Sequence, residues 1–151
     1  MAKKRAVAAD HKWKDLPAGA RVVVDSAPII YVLEDHPQFA PRFVGLFEAE
    51  AAGNVEILIS AITLSEVLAG PFQAGQEALA QRYATALQAF TVIPVDNEIA
   101  VSAARLRSRY RLKLPDAIQL ATVLESGAHA LVTNDNDFSA VEGITLLLGE
   151  L

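Results

Sequence analysis

Arg21-Val22-Val23-Val24-Asp25-Ser26-Ala27-Pro28-Ile29-Ile30-Tyr31-Val32-Leu33 is the stretch from which the fold is read. Three consecutive β-branched residues form a run too short for a helix, and no polar residue alternates with them. They read as a strand buried on both faces, as in a parallel sheet. Asp25-Ser26 stands where the strand gives way to helical period at residues 29–33. Working outward, the same order recurs: a strand at 56–59 precedes helical segments at 62–69 and 77–89, and a strand at 90–95 precedes 98–111 and 116–125. Short apolar runs at 130–132 and 144–148 complete the series, after the helix at 39–52. Repeated βα units predict an α/β sandwich with a mostly parallel central sheet of about five strands and helices on both faces. Gly53-Asn54 and Gly70-Pro71 read as helix ends, Gly127 as a C′ residue before a strand, and Pro94 as the mark of an edge strand. Residues 1–20 show neither period and read as a flexible arm, leaving 21–151 as the domain.

A chain of 151 residues with 52% hydrophobic content has room for one domain with a substantial core. The formal charge of -5 excludes holding nucleic acid by bulk positive charge. The charge is unevenly placed, with eleven of the 13 Lys and Arg residues inside 1–21 and 99–115. The absence of Cys removes disulfide frameworks, thiolate zinc sites and thiol nucleophiles, and three scattered His lack ligand spacing. No apolar run approaches the roughly 18–20 residues of a membrane span, so the expectation is a soluble, cytoplasmic protein without a membrane partner.

In an open α/β sheet, ligands bind beyond the carboxyl ends of the strands, and here those positions hold acids. Asp25 follows the first strand, Asp135 and Asp137 follow Leu131-Val132-Thr133-Asn134, Glu66 lies about two helical turns past the second strand, and Asp116 opens the helix after Pro115. Carboxylates brought together repel and raise one another's pKa, and a hard divalent cation relieves that repulsion. Oxygen-only ligands favour Mg²⁺ or Mn²⁺ over zinc and suit phosphodiester hydrolysis. Each acid also has a purely structural reading. Asp25 is a good N-cap, Thr63-Leu64-Ser65-Glu66 matches a capping box, Asp116 suits the positive end of a helix, and Asn134-Asp135-Asn136-Asp137 suits a turn. On spacing alone the capping box is the better reading of Glu66.

Val22-Val23-Val24-Asp25-Ser26, Ser65-Glu66-Val67-Leu68, Leu114-Pro115-Asp116-Ala117 with Gln119-Leu120-Ala121, and Leu131-Val132-Thr133-Asn134-Asp135-Asn136-Asp137-Phe138 resemble the four signature blocks of the PIN domain. They are most similar to those of VapC-type toxins of prokaryotic toxin-antitoxin pairs. The resemblance spans about residues 21–148, with intervals of 41, 50 and 19 residues between Asp25, Glu66, Asp116 and Asp135. It implies an α/β/α fold and a Mg²⁺- or Mn²⁺-dependent endoribonuclease that leaves 5′-phosphate and 3′-hydroxyl ends. It further implies a VapB-like antitoxin partner and association into homodimers. Carried over residue by residue, Asp25, Glu66, Asp116 and Asp135 are catalytic and metal-binding, Asp137 is an auxiliary ligand, and Ser26 and Thr133 are hydrogen-bond supports. The chain departs from the pattern in its long approach to Asp25, an arm that carries Lys3, Lys4, Arg5, Lys12, Lys14 and the only Trp, Trp13. That arm reads as dispensable.

The second basic segment places Arg105, Arg107, Arg109, Arg111 and Lys113 two residues apart, which spreads them around a helix instead of along one stripe. Ile99, Ala103, Leu106 and Tyr110 form its buried face. A solvated face with macrodipole benefit is one reading, and phosphate contacts beside the acids are the other. The competing class is a non-catalytic PIN-like module binding RNA or protein, with its acids acting as caps. A haloacid-dehalogenase-type phosphatase requires a second Asp where Ala27 stands, and the Gly-rich loops of nucleotide-binding folds are missing.

Overall fold

The computed structural model describes residues 7–8 and 13–150. Val22-Val23-Val24 lies within β2 (Ala20–Val24), which is followed by α1 (Ser26–Leu33) and α2 (Ala40–Ala51). The unit recurs as β3 (Val55–Ser60), α3 (Ala61–Gln73) and α4 (Glu77–Leu87), and as β4 (Thr91–Ile93), α5 (Asn97–Tyr110) and α6 (Leu114–Ser126). The chain then adds β5 (Ala130–Val132) and β6 (Thr145–Leu147), and a two-residue strand β1 (Val7–Ala8) precedes the domain.

The sheet order is β1-β6-β5-β2-β3-β4, and every pairing is parallel. Five strands belong to the predicted set, and β1 adds a sixth by pairing Val7 with Thr145 and Ala8 with Leu146. Strand side chains alternate between two cores. Val22, Val24, Ile57, Ile59 and Val132 face one apolar layer with Ile29, Phe43, Leu46 and Leu87. Val23, Leu58 and Leu131 face a second layer with Ile99, Ala103, Leu120 and Phe138. This is the expected α/β/α sandwich. β4 is an edge strand that stops at Ile93, immediately before Pro94, whose missing N–H cannot join a ladder.

Gly127 ends α6 in the left-handed conformation at φ +67°, and Gly53 follows α2 at φ +78°. Gly70-Pro71, by contrast, does not end a helix: α3 continues to Gln73 with Pro71 buried inside it. A proline normally forces the preceding residue out of the helical region by clashing with its Cβ, and Gly70 has none. The helix closes with the Ala74 amide donating to the Gly70 carbonyl at 3.1 Å.

Domain packing reaches back into the predicted arm. Trp13 is only 2% exposed, its indole N–H donates to the Arg42 carbonyl at 2.9 Å, and its ring packs on Phe43 at 6.2 Å between centroids. Trp13, Leu16 and Ala20 therefore pack with the domain, and the residues between them are exposed. Lys3, Lys4, Arg5 and Lys12 lie outside the described residues.

Candidate active site

β2 has β3 and β4 on one side and β5 and β6 on the other, so the chain reverses direction across the sheet at β2. A crevice opens at such a switch point, beyond the carboxyl ends of the strands. Here it is a cleft of about 600 Å³ lined by Asp25, Glu66, Asp116, Asp135 and Asp137, along with Ser26, Tyr31, Asn134 and Asn136. The four predicted acids and the predicted auxiliary acid thus meet in one cleft.

The strand register places Asp25. Val24 pairs with Val132, and the next residues, Asp25 and Thr133, leave the sheet side by side. The Thr133 hydroxyl donates to Asp25 Oδ2 at 2.9 Å and accepts from the Asp135 amide at 3.0 Å, so one buried side chain orients two acids. Asp25 Oδ1 accepts from the Ser26 amide at 2.8 Å, making Asp25 the N-cap of α1 as well. Its structural and cleft-lining positions coexist. Burial pushes the Asp25 pKa up, the bonds from Thr133 and Ser26 oppose that rise, and the charge of Asp135 adds to it.

Glu66 is not part of a capping box. The N-cap of α3 is Ser60, whose hydroxyl accepts from the Ile62 amide at 3.2 Å, so Thr63 and Glu66 lie inside the helix. The earlier start follows from the strand β3 running directly into the helix through Ser60. Thr63 is instead fully buried and accepts from Gln119 Nε2 at 2.8 Å. Gln119 is 1% exposed and lies one turn after Asp116, as Thr63 lies one turn before Glu66. This hydrogen bond braces α3 against α6 beneath the cleft. Glu66 Oε1 is buried without a hydrogen-bond partner, and its pKa is raised by burial and then by the Asp25 charge, with the Ser26 hydroxyl opposing.

Asp116 occupies the first turn of α6, following Pro115, where the macrodipole favours an acid. Its pKa nevertheless rises to about 6, through burial first and then the charges of Asp135, Asp25 and Asp137, with Lys113 opposing. Asp135 caps the short 3₁₀ turn Asn136–Phe138 by accepting from the Asp137 amide at 2.8 Å, and the buried Phe138 anchors that turn in the second core. Asp116, Asp135 and Asp137 each place a carboxylate oxygen within 4.8 Å of the others. Asp137, the predicted auxiliary acid, thus belongs to the tightest trio, while Asp25 and Glu66 line the same cleft outside it.

A divalent cation fits this donor set. All of its ligands would be carboxylate oxygens, Glu66 Oε1 has no partner, and the repulsion that raises Asp116 is what a dication relieves. Asp25, Glu66 and Asp116 all bind protons more tightly folded than unfolded. Their contribution to stability is therefore fullest at low pH and is lost as pH rises through the folded values, about 6 for Asp116. In EDTA the melting temperature should rise as pH falls from 7.5 to 5.5, and the stabilisation added by Mn²⁺ should grow in the opposite direction. Calorimetry at the two pH values, with and without metal, checks both signs.

Sequence reading did not mark Tyr31, Asn134 or Asn136 as site residues. Tyr31 lies in a continuous apolar run that reads as core, and the two asparagines read as turn residues. The arginines of α5 do not line the acidic cleft: Arg107 Nε donates to the Leu112 carbonyl at 3.2 Å, and Arg109 meets Glu142 at 3.5 Å. Of that basic segment only Lys113 acts on the Asp116 charge.

Parallel βα units with a cleft of carboxylates at the switch point define the class, an α/β domain with an acidic site beyond the carboxyl ends of its strands. The chain belongs to the PIN domain family, whose sequence model matches residues 22–144. Among solved structures it is similar to a toxin-antitoxin complex from Klebsiella pneumoniae, with 28% identity, a TM-score of 0.68, and 86% of this chain and 99% of that chain covered. VapBC2 from Rickettsia felis, bound to a DNA fragment from its promoter, shares the fold at 19% identity and a TM-score of 0.69, covering 83% and 96% of the two chains. VapC20 of Mycobacterium tuberculosis, a sarcin-ricin loop cleaving toxin, shares it at 17% identity and a TM-score of 0.62, over 79% and 93%. No curated protein matches the sequence. Among the described residues no helix is long and apolar enough to cross a membrane.

Proposed function

We propose that this protein is a divalent-metal-dependent endoribonuclease, the toxin of a type II toxin-antitoxin pair. The observation that carries the reading is the meeting of five carboxylates, from four separate segments, in one cleft at the switch point of a PIN domain. Similarity to the Klebsiella pneumoniae toxin-antitoxin complex supports the toxin role and an antitoxin partner. We take that partner to be VapB-like and the toxin to associate as a homodimer.

Asp116, Asp135 and Asp137 would hold the cation, with Asp25 and Glu66 completing the set from the same cleft. A bound Mg²⁺ or Mn²⁺ supplies Lewis-acid activation of water and of the scissile phosphate. Thr133 and Ser26 keep Asp25 in one orientation, so that no reorganisation is needed when substrate arrives. Glu66 Oε1 is buried without a hydrogen-bond partner and would be free to take a proton from the attacking water. With the four predicted ligands subtracted, the formal charge of -5 becomes -1, and contact with RNA runs through the cation instead of a basic surface.

Purified protein should cut single-stranded RNA with Mg²⁺ or Mn²⁺ and leave 5′-phosphate ends, and EDTA should reduce cleavage to background. Cleavage that persists in EDTA, or the absence of Mn²⁺ binding by calorimetry, would remove the assignment.

A further inference from the structure

Tyr31 stands apart from the other groups around the acidic cleft. Besides the acids, the hydrogen-bonding side chains in the lining are neutral: Ser26, Tyr31, Asn134 and Asn136. Tyr31 is also the one aromatic residue there. Its ring is held by other rings: Phe39 stacks at 4.8 Å, Phe43 at 6.2 Å, and His36 approaches edge-on at 5.4 Å. His36 is itself fixed, its Nδ1 accepting from the amides of Gln38 and Phe39 at 3.2 Å each. With the ring so engaged, the phenol hydroxyl is what Tyr31 offers the cleft. That oxygen accepts from Asn134 Nδ2 at 3.3 Å, and its own proton remains available to donate. Asn134 directly precedes Asp135, so the pair stands beside the acids that would hold the cation.

A neutral group that both donates and accepts, pre-organised next to an anion-binding cation site, matches a neutral partner that does the same. In a nucleic acid strand the phosphate satisfies the cation, and a base would need a free ring face to stack upon. The sugar hydroxyl needs neither. We propose that the Tyr31 hydroxyl, oriented by Asn134, hydrogen-bonds the ribose 2′-hydroxyl of a nucleotide flanking the scissile phosphate and so discriminates RNA from DNA in this cleft. The inference rests on the endoribonuclease reading and adds a specificity-determining residue to it.

Tyr31→Phe removes only the hydroxyl and keeps the ring packing, which thermal unfolding would verify. The substrates are an RNA oligonucleotide with a mapped cut, and the same strand carrying a single 2′-deoxy or a single abasic residue on either side of the bond. Wild type should lose about tenfold in kcat/KM at one of the two deoxy positions, in keeping with one hydrogen bond to substrate. Tyr31→Phe should lose about tenfold on the all-ribose strand and nothing further on that deoxy strand. Asn134→Ala should shift both rates in the same direction. Losses that multiply, an unchanged Tyr31→Phe, or discrimination that vanishes on the abasic strand instead would each overturn the assignment while RNA cleavage by wild type stands. A wild type that cuts no RNA would remove the parent reading, and this one with it.

Discussion

Asp116→Asn is expected to lower metal-dependent RNA cleavage by about a thousandfold or more and, in EDTA, to raise the melting temperature. The two effects share one cause. Asp116 belongs to the trio whose oxygens lie within 4.8 Å of one another, and its ionised form is opposed by burial and by three neighbouring acids. Ligand loss removes charge stabilisation worth several kcal/mol in a transition state, and each 1.36 kcal/mol is a factor of ten. In the metal-free protein the same charge works against folding. The macrodipole of α6 favours an acid in its first turn, yet the pKa still rises to about 6, so the unfavourable terms win. The isosteric amide ends that repulsion. A chain of this size gains roughly 2–4 °C for each kcal/mol recovered. Kinetics in Mg²⁺ and calorimetry in EDTA read the two halves. Retained cleavage would sink the catalytic assignment, and a lowered melting temperature would sink the electrostatic account.

Trp13→Ala should destabilise the domain by about 3–5 kcal/mol, the usual range for removing a buried aromatic side chain. Trp13 is 2% exposed, in contact with Phe43, and bonded through its indole N–H to the Arg42 carbonyl. Its backbone amide donates to Glu150 Oε1 at 2.6 Å, while the Glu150 amide donates to the Arg42 carbonyl at 2.8 Å. The start of the domain, α2 and the C-terminal segment are therefore joined at one point. Gly45 makes that possible, since a Cβ there would lie 2.9 Å from Trp13 Cδ1. Gly45→Val should reproduce much of the loss. Urea unfolding followed by circular dichroism measures both variants, and a change below about 1 kcal/mol in Trp13→Ala would show that the contact adds little.

The βα order was legible because each strand is a compact β-branched run and each helix carries its period. The element limits agree with the structure almost throughout, including β5 at Ala130–Val132. Gly70-Pro71 misled because the rule for a residue before proline depends on a Cβ that glycine lacks. The capping-box reading of Glu66 failed for a different reason: a four-residue match is local, whereas the start of α3 is set by the strand β3 leading into Ser60. Trp13 was read as part of an arm because one aromatic residue in a polar segment has no period to report its burial. Its pocket is built from α2 and the C-terminal segment, far along the chain.

By itself the sequence determined the fold class, the acids that stand at strand ends and helix starts, and the lack of any Cys thiol. These depend on residue type, period and local junctions, which are properties of neighbouring residues. The tertiary structure decided that Asp137 joins Asp116 and Asp135, that Thr133 orients both Asp25 and Asp135, and that Gln119 braces Thr63. It also decided that the Tyr31 hydroxyl meets Asn134 while its ring stays packed on Phe39. Such facts are distances between side chains brought together from distant positions, and they exist only once parallel strand register and helix packing have set them.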